Sequence, residues 1–205
     1  MRPSTLDQLA LRLGQSKPRG RRLVVALAGA PGSGKSTMAA QLSERLHHAA
    51  VVPMDGFHLD NRLLEPRGLL PRKGAPETFD LGGITRLAQA LAQDETVYYP
   101  LFDRARDLAV AGAGHIGPEC QIALIEGNYL MFDAPGWRDL AGYWDVSVRL
   151  DVPLEVLRAR LIARWLAHGL SPDQAAQRAQ GNDLPNAERV LKAALPCDYV
   201  LRTDA

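Results

Sequence analysis

The octapeptide GAPGSGKS, Gly29 to Ser36, restricts this chain more than any other feature. It sits between an unbroken apolar run, LVVALAG from Leu23, and a segment whose apolar residues Met38, Leu42 and Leu46 recur at helical spacing. A continuous aliphatic and β-branched run is what a strand covered on both faces in a parallel sheet requires. Glycines at positions 29, 32 and 34 permit backbone turns that a Cβ would forbid, so successive N–H groups can point inward. The positive end of the following helix strengthens that field. Such a cup suits a polyphosphate. The pattern G-x-x-x-x-G-K-[S/T] puts Lys35 within reach of β- and γ-phosphates and lets the Ser36 hydroxyl coordinate Mg²⁺. Gly29, Ala30, Pro31, Gly32, Ser33, Gly34, Lys35 and Ser36 are therefore the expected nucleotide-binding residues.

Around this cup the pattern alternates strands with helices. AVVPMD, IALIE from Ile122, VSVRLDV from Val146 and the final CDYVLRT read as short buried strands, while TVYYPLF and the stretch around His115 and Ile116 read as a β-ribbon. Leu6, Leu9, Ala10 and Leu13 mark an amphipathic helix ending near Gly14, and a helix covers Ile84 to Leu91. A further helix runs from Pro153 to about His168, capped by Asp151 or Val152 and ended by Gly169. Ser171 and Gln174 form a capping box for the next one, expected to stop at Gly181. Gly56 to Phe79, rich in Gly, Pro, Arg and Lys, reads as an ordered loop with one helical turn. The alternation implies a three-layer α/β fold with a mostly parallel sheet. At 205 residues the expectation is one domain over 1–205, with an N-terminal helix and linker over 1–21 and a lid region over 153–181.

Charge narrows the partners. Lys plus Arg (24) nearly cancels Asp plus Glu (23), so no broad basic field exists to grip a nucleic-acid backbone, and an anion must be bound locally. No apolar stretch approaches the roughly 20 residues needed to span a bilayer, and the start lacks the apolar run of a signal peptide, so membrane insertion and secretion are not expected. Cys120 and Cys197, far apart and outside any CxxC pair, fit a reducing cytoplasm.

The reaction has to be read from other segments. An N-K-x-D element for reading guanine is missing from the sequence. MDGFHLDN places Asp55 at the carboxyl end of the second strand, where α/β sheets bind ligands and a carboxylate can take a proton from an attacking hydroxyl. His58 either contacts substrate or packs. ALIEGNYL ends a buried strand on Glu126, where an acid acts on Mg²⁺, and Asn128 and Tyr129 after it either face substrate or close a turn. Arg160 and Arg164 sit four apart on one helix face, so they can clamp phosphates as a lid closes or form a solvated basic face. Arg104 and Arg106 in FDRARD, and Arg72 and Lys73 in PRKGAPETFD, carry the same two readings, with Arg104 taken as a substrate contact. Trp137 and Trp144 are expected to pack.

Together, MDGFHLDN, RKGAPETFD, EGNYL and NDLPNAERV resemble the P-loop kinase family of uridine kinase, phosphoribulokinase and bacterial pantothenate kinase, and are closer still to a bacterial subgroup labelled fructose-transport-system kinase or nucleoside/nucleotide kinase-like. The resemblance runs from Leu23 to about Leu201. It implies a five-stranded parallel core in the order 2-3-1-4-5, the strands near Val52, Leu124, Val25, Val148 and Val200 lying in that spatial order. It also implies ATP and Mg²⁺ as cofactors and a small-molecule hydroxyl as acceptor, plausibly that of a sugar such as fructose. By resemblance the base is Asp55, the triphosphate grip spans Gly32 to Thr37, the lid arginines are Arg160 and Arg164, and Asn182 or Asn186 borders adenine. MDGFH departs from the Asp-Ser-Phe-Tyr segment of uridine kinase, so uridine is not implied as acceptor. The chain after Gly181 is short beside the extended ends of phosphoribulokinase and pantothenate kinase. A nucleotide-binding regulatory module without acceptor phosphorylation, or a nucleoside or vitamin kinase, are the competing readings.

Overall fold

Strands apolar on both faces can only be satisfied between two layers of helix, and that is how this chain is built. The structure is a computed structural model in which residues 5–202 are described; of the N-terminal segment, residues 1–4 lie outside them. In chain order the elements are α1 (Leu6–Gln15), β1 (Leu23–Gly29), α2 (Lys35–Arg45), β2 (Ala49–Pro53), the short α3 (Asn61–Leu64), α4 (Leu81–Gln93), β3 (Val97–Asp103), β4 (Leu108–Ile116), β5 (Ile122–Gly127), β6 (Val146–Asp151), α5 (Leu154–Ala167), α6 (Pro172–Arg178), α7 (Leu184–Lys192) and β7 (Tyr199–Arg202).

The five core strands are parallel and ordered β2-β5-β1-β6-β7, the expected 2-3-1-4-5. Every residue of β1 is buried, and its side chains divide by the strand period of two. Val24, Ala26 and Ala28 enter a core with Ile84, Leu87 and Leu91 of α4, Leu157 of α5 and Val190 of α7. Leu23, Val25 and Leu27 enter the opposite core with Leu9 and Leu13 of α1 and Met38 and Leu42 of α2. α1 is capped by Thr5, whose hydroxyl accepts from the Gln8 N–H at 3.2 Å. Strands β3 and β4 form the antiparallel ribbon, apart from the main sheet.

Register fixes the site. Leu27 of β1 and Pro53 of β2 both lie opposite Glu126 of β5. The three strands thus end level, and the segments beyond them, carrying the glycine-rich turn, Asp55 and Asn128, emerge at one edge. This is the carboxyl edge at which open α/β sheets bind ligands.

Several local expectations change. Pro153 is itself the cap of α5, extended at ψ 142°, so neither Asp151 nor Val152 caps it. Gly169 does end the helix, at φ +85°. Gly181 stops nothing: the chain passes through a π-helical turn, Ala179–Asp183, into α7, with the Leu184 N–H bonded to the Ala179 carbonyl. The wider turn leaves backbone donors unmatched, so Pro185, which has none, fits the first turn of α7. The segment 56–79 holds α3 and a series of 3₁₀ turns rather than one helical turn, because Asp60 caps α3 and prolines open the turns at Glu65–Arg67, Leu70–Arg72 and Pro76–Thr78. α4 exceeds Ile84–Leu91 because Asp80 accepts the Gly83 N–H at 2.8 Å and starts it earlier. Trp137 and Trp144 are buried, and both cysteines are free thiols. No helix among the described residues is long and apolar enough to cross a membrane.

Candidate active site

β1 ends in the glycine-rich turn, and α2 begins on Gly34 in the left-handed region, φ +89° and ψ 14°. Gly32 is also left-handed, at φ +79°. Both conformations are costly for any residue with a Cβ. The turn opens onto a cavity of about 780 Å³, lined by Pro31, Gly32, Gly34, Lys35, Ser36 and Thr37. Gly29, Ala30 and Ser33 do not line it. Ala30 and Ser33 are buried beneath the turn, the Ser33 N–H donates to the Ala30 carbonyl at 3.0 Å, and a Cβ on Gly29 would stand 2.6 Å from Ser33 Oγ. These three shape the cup from behind. Lys35 makes no ion pair among the described residues, so its ammonium is available to the cavity.

Ser36 Oγ donates to Glu126 Oε1 at 3.0 Å. Glu126 is 7% exposed and receives no other hydrogen bond among the described residues. Burial pushes its carboxyl above the usual range, while nearby Lys35 pulls it back. A hydroxyl beside one carboxylate is a hard, oxygen-only donor pair, and it fits Mg²⁺ of the kind held mostly by water and substrate phosphates. A full protein cage is not on offer: the described residues contain no cluster of three or more His, Cys, Asp or Glu.

Asp55 lies in the 3₁₀ turn Met54–Phe57 directly after β2 and lines the same cavity. Its Oδ2 is paired with Arg104 Nη2 at 2.7 Å, an ion pair bridging the turn to the ribbon end. Oδ1 has no hydrogen bond among the described residues. His58 also lines the cavity; its Nδ1 sits 2.7 Å from the Asp55 carbonyl, and its ring packs on Phe79 and Phe102 at 4.1 and 4.7 Å. Burial holds His58 below its ordinary value, although Asp55 opposes this. His58 therefore packs and also lines the cavity. Asn128 faces the cavity with a buried Oδ1 that has no partner. Tyr129 does not face it. Its ring is fully buried among Phe79, Phe132 and Trp137, its hydroxyl donates to the Gly74 carbonyl at 2.7 Å, and burial drives its phenol far above the usual value. Tyr129 is thereby corrected as a substrate contact: both residues follow β5 in a bend, which turns Tyr129 into the core.

A wall of three polar residues was not expected from the sequence. Lys73 Nζ donates to Asn61 Oδ1 at 2.7 Å and to the Asp107 carbonyl at 2.7 Å, and lies 3.0 Å from Asp107 Oδ1. Asn61 Nδ2 donates to Asp107 Oδ2 at 2.8 Å. Burial raises the Asp107 carboxyl, but the bonds from Asn61 and Lys73 outweigh it and hold the group low. Lys73 was visible in PRKGAPETFD; nothing in the sequence tied it to Asn61 or to Asp107. Arg72 and Arg106 lie off the cavity, paired with Glu77 and Asp103.

Of the α5 arginines, Arg160 lines the cavity while its Nη1 donates to the Gly32 and Ser33 carbonyls at 3.5 and 3.3 Å, bracing the turn. Arg164 is exposed and stacks on Trp165, its guanidinium 5.6 Å from the ring centroid. Arg178, which sequence reasoning missed, covers the same indole at 5.3 Å, and Trp165 Nε1 donates to Asp183 at 2.6 Å. Asn182 and Asn186 both line the cavity from the π turn and α7, with Asn186 Nδ2 donating to Asn182 Oδ1 at 3.2 Å. Helical spacing of four brings those two together, which NDLPNAERV already contained.

Residues 24–177 match the model of the phosphoribulokinase/uridine kinase family. The chain is 40% identical over 178 residues to the uncharacterized protein YggC of Escherichia coli K12, covering 83% of this chain and 73% of that one. It is 33% identical over 214 residues to a candidate uridine kinase of Schizosaccharomyces pombe, C227.14, covering 97% and 91%. A solved structure of a candidate fructose transport system kinase from Silicibacter sp. TM1040 shares 60% identity and superposes with a TM-score of 0.92 over 97% of this chain and 99% of that one. A strand-end cup on β1, an acid ending β5 and a parallel sheet in this order, found together with these relatives, lead to one assignment: the chain belongs to the phosphoribulokinase/uridine kinase family and is a small-molecule kinase of the P-loop fold.

Proposed function

We propose that this kinase moves the γ-phosphoryl group of ATP to a hydroxyl of a small metabolite, a sugar such as fructose being the first to test. The observation that carries this is that Asp55 and Lys35 line one cavity, with the Asp55 Oδ1 and the Lys35 ammonium both without a partner among the described residues. The amides of Gly32 to Thr37 and the start of α2 bind the triphosphate, and Lys35 neutralises its β- and γ-oxygens. Ser36, with Glu126 beside it, would hold Mg²⁺, which would supply further positive charge at those phosphates. Asp55 Oδ1 accepts the acceptor's hydroxyl proton; the hydroxyl oxygen bonds to the γ-phosphorus, the bond from that phosphorus to the β–γ bridging oxygen breaks, and ADP leaves. Arg104 keeps the other carboxylate oxygen occupied and so orients the base. His58 and Asn128 contact the acceptor, and Asn186 borders the adenine. The helices within 153–181 close as a lid, with Arg164 reaching the transferred group and Arg160 holding the cup in shape. A cytoplasmic setting fits the two free thiols.

The test is Asp55→Asn, an isostere that keeps the side-chain shape. Acceptor-stimulated ADP release should fall by about 10² to 10⁴ while ATP affinity is retained. Near-full turnover in that variant rejects the assignment. ATP binding by the native chain with no acceptor-stimulated turnover across sugars, nucleosides and vitamins rejects the kinase reading in favour of a regulatory module.

A further inference from the structure

Charge is distributed unequally along the cavity, and the inequality bears on the acceptor. Lys35, Arg160, Arg164 and Arg178 line the cavity from α2, α5 and α6, and Asp183 is the acid that lines it from the π turn. The remaining lining charges pair with one another: Asp55 with Arg104 at 2.7 Å and Asp107 with Lys73 at 3.0 Å. Lys73 is the decisive group. An ammonium has three N–H donors, and here three oxygens, Asn61 Oδ1, the Asp107 carbonyl and Asp107 Oδ1, take them all within 3.0 Å. Its side chain is 9% exposed, and its ammonium also lies over the Phe102 ring, 5.1 Å from the centroid. A phosphate or carboxylate arriving there would find a cation with no donor left and a carboxylate beside it. What the wall does present is hydrogen-bonding capacity without charge: the side-chain amides of Asn128 and Asn61, and the ring faces of His58 and Phe102. Burial favours the neutral form of His58, so the imidazole adds no charge at neutral pH.

Resting on the kinase reading above, we infer that the phosphate acceptor is an uncharged polyhydroxylated molecule, and that Lys73, Asn61 and Asp107 form a self-neutralised wall that discriminates against anionic hydroxy compounds. Sugars and nucleosides share this chemistry, and both are included in the test.

The experiment uses the full chain with Mg-ATP and acceptors in pairs differing in one charged group: fructose and fructose 6-phosphate, uridine and uridine monophosphate, pantothenol and pantothenate, glycerol and glycerate. ADP release gives kcat/KM for each. The neutral member of the best-used pair should lead by about 10² or more, since an anion desolvated against a wall whose cation has no donor left is strongly disfavoured. Which pair leads separates a sugar from a nucleoside. Asp107→Asn leaves the Lys73 charge uncompensated and should move the ratio towards the anionic member by about tenfold or more. Lys73→Met should move it the other way. Both members are measured on one preparation, so loss of folded protein cancels in the ratio. Preference for the anionic members in the native chain, or a ratio that Asp107→Asn leaves unmoved, overturns the inference while the kinase reading stands. ATP binding with no turnover of any member overturns both.

Discussion

Glu126→Gln separates stability from function at this site. In the native protein the carboxylate is 7% exposed and receives one hydrogen bond, from Ser36 at 3.0 Å. An ionised carboxyl offers about four lone-pair sites, so most of its hydration is given up without replacement among the described residues. That shortfall is why burial raises its proton affinity, only partly offset by Lys35. Glutamine keeps the oxygen that Ser36 needs and removes the charge. A buried acid with a raised folded-state pKa binds its proton more readily in the native than in the unfolded chain. It therefore lowers stability as pH rises above the unfolded value and costs nothing below it. The substitution should leave stability unchanged near pH 4 and raise it by on the order of 1 kcal/mol at pH 7.5, within the range for relieved functional sites. For a chain of this length that is a rise of about 2–4 °C in Tm. Thermal melts of both proteins at the two pH values, without nucleotide, measure it. Turnover with Mg-ATP should meanwhile fall steeply, and added Mg²⁺ and ATP should stabilise the variant less than the native chain. A variant less stable than the native protein at pH 7.5, or one equally active, would refute the account of Glu126 as a strained metal-side acid.

Gly34→Ala tests the cup's backbone. No atom lies within 4 Å of where the Cβ would stand, so the loss comes from holding alanine at φ +89° alone. That is about 1–2 kcal/mol, or roughly 2–8 °C in Tm, and an unchanged melt would show that the left-handed turn is not required. His58 gives a pH signature of the opposite sign to Glu126. Its folded-state pKa lies below the ordinary value because of burial, so the stability it contributes is full above about pH 6.5 and is lost as pH falls towards the folded value. The urea midpoint of His58→Gln should fall less than that of the native chain between pH 7.5 and 5.5, and parallel slopes would contradict the burial argument.

How much of this was legible depends on how far apart in sequence the cooperating residues lie. The cup is eight consecutive residues between two strongly patterned elements, so glycine spacing, strand and helix start could all be read in place. Glu126 and Asp55 were legible for a related reason: each follows a buried apolar run, and parallel strands of similar length end at one edge. Segments without a period were not legible. The π turn at Ala179–Asp183 hides behind a glycine and a proline that locally spell a stop, and only tertiary contact shows that the helix continues. Tyr129 stayed open between substrate and turn because the bend after β5 has no period from which cavity and core could be told apart.

The acceptor wall shows why the reaction could be read and its substrate could not. Asn61 belongs to α3, Lys73 directly follows the 3₁₀ turn Leu70–Arg72 and Asp107 sits at the tip of the ribbon, 12 and 34 residues apart along the chain. Each alone is an ordinary surface polar residue. Asp107 even carries φ +54°, a conformation aspartate tolerates in turns, so its own position argues for a loop and nothing more. Function appears only when the ribbon folds back over the loop and the Lys73 ammonium gives its donors to Asn61 and Asp107. Phosphate chemistry is served by backbone amides, which any sequence supplies once glycine permits the turn. Acceptor choice is served by side chains from three separate segments, and each segment can change without disturbing the cup. A family built this way can keep its reaction while its acceptor changes, so in this chain the charge state of the Lys73 wall bears on the substrate more directly than GAPGSGKS does.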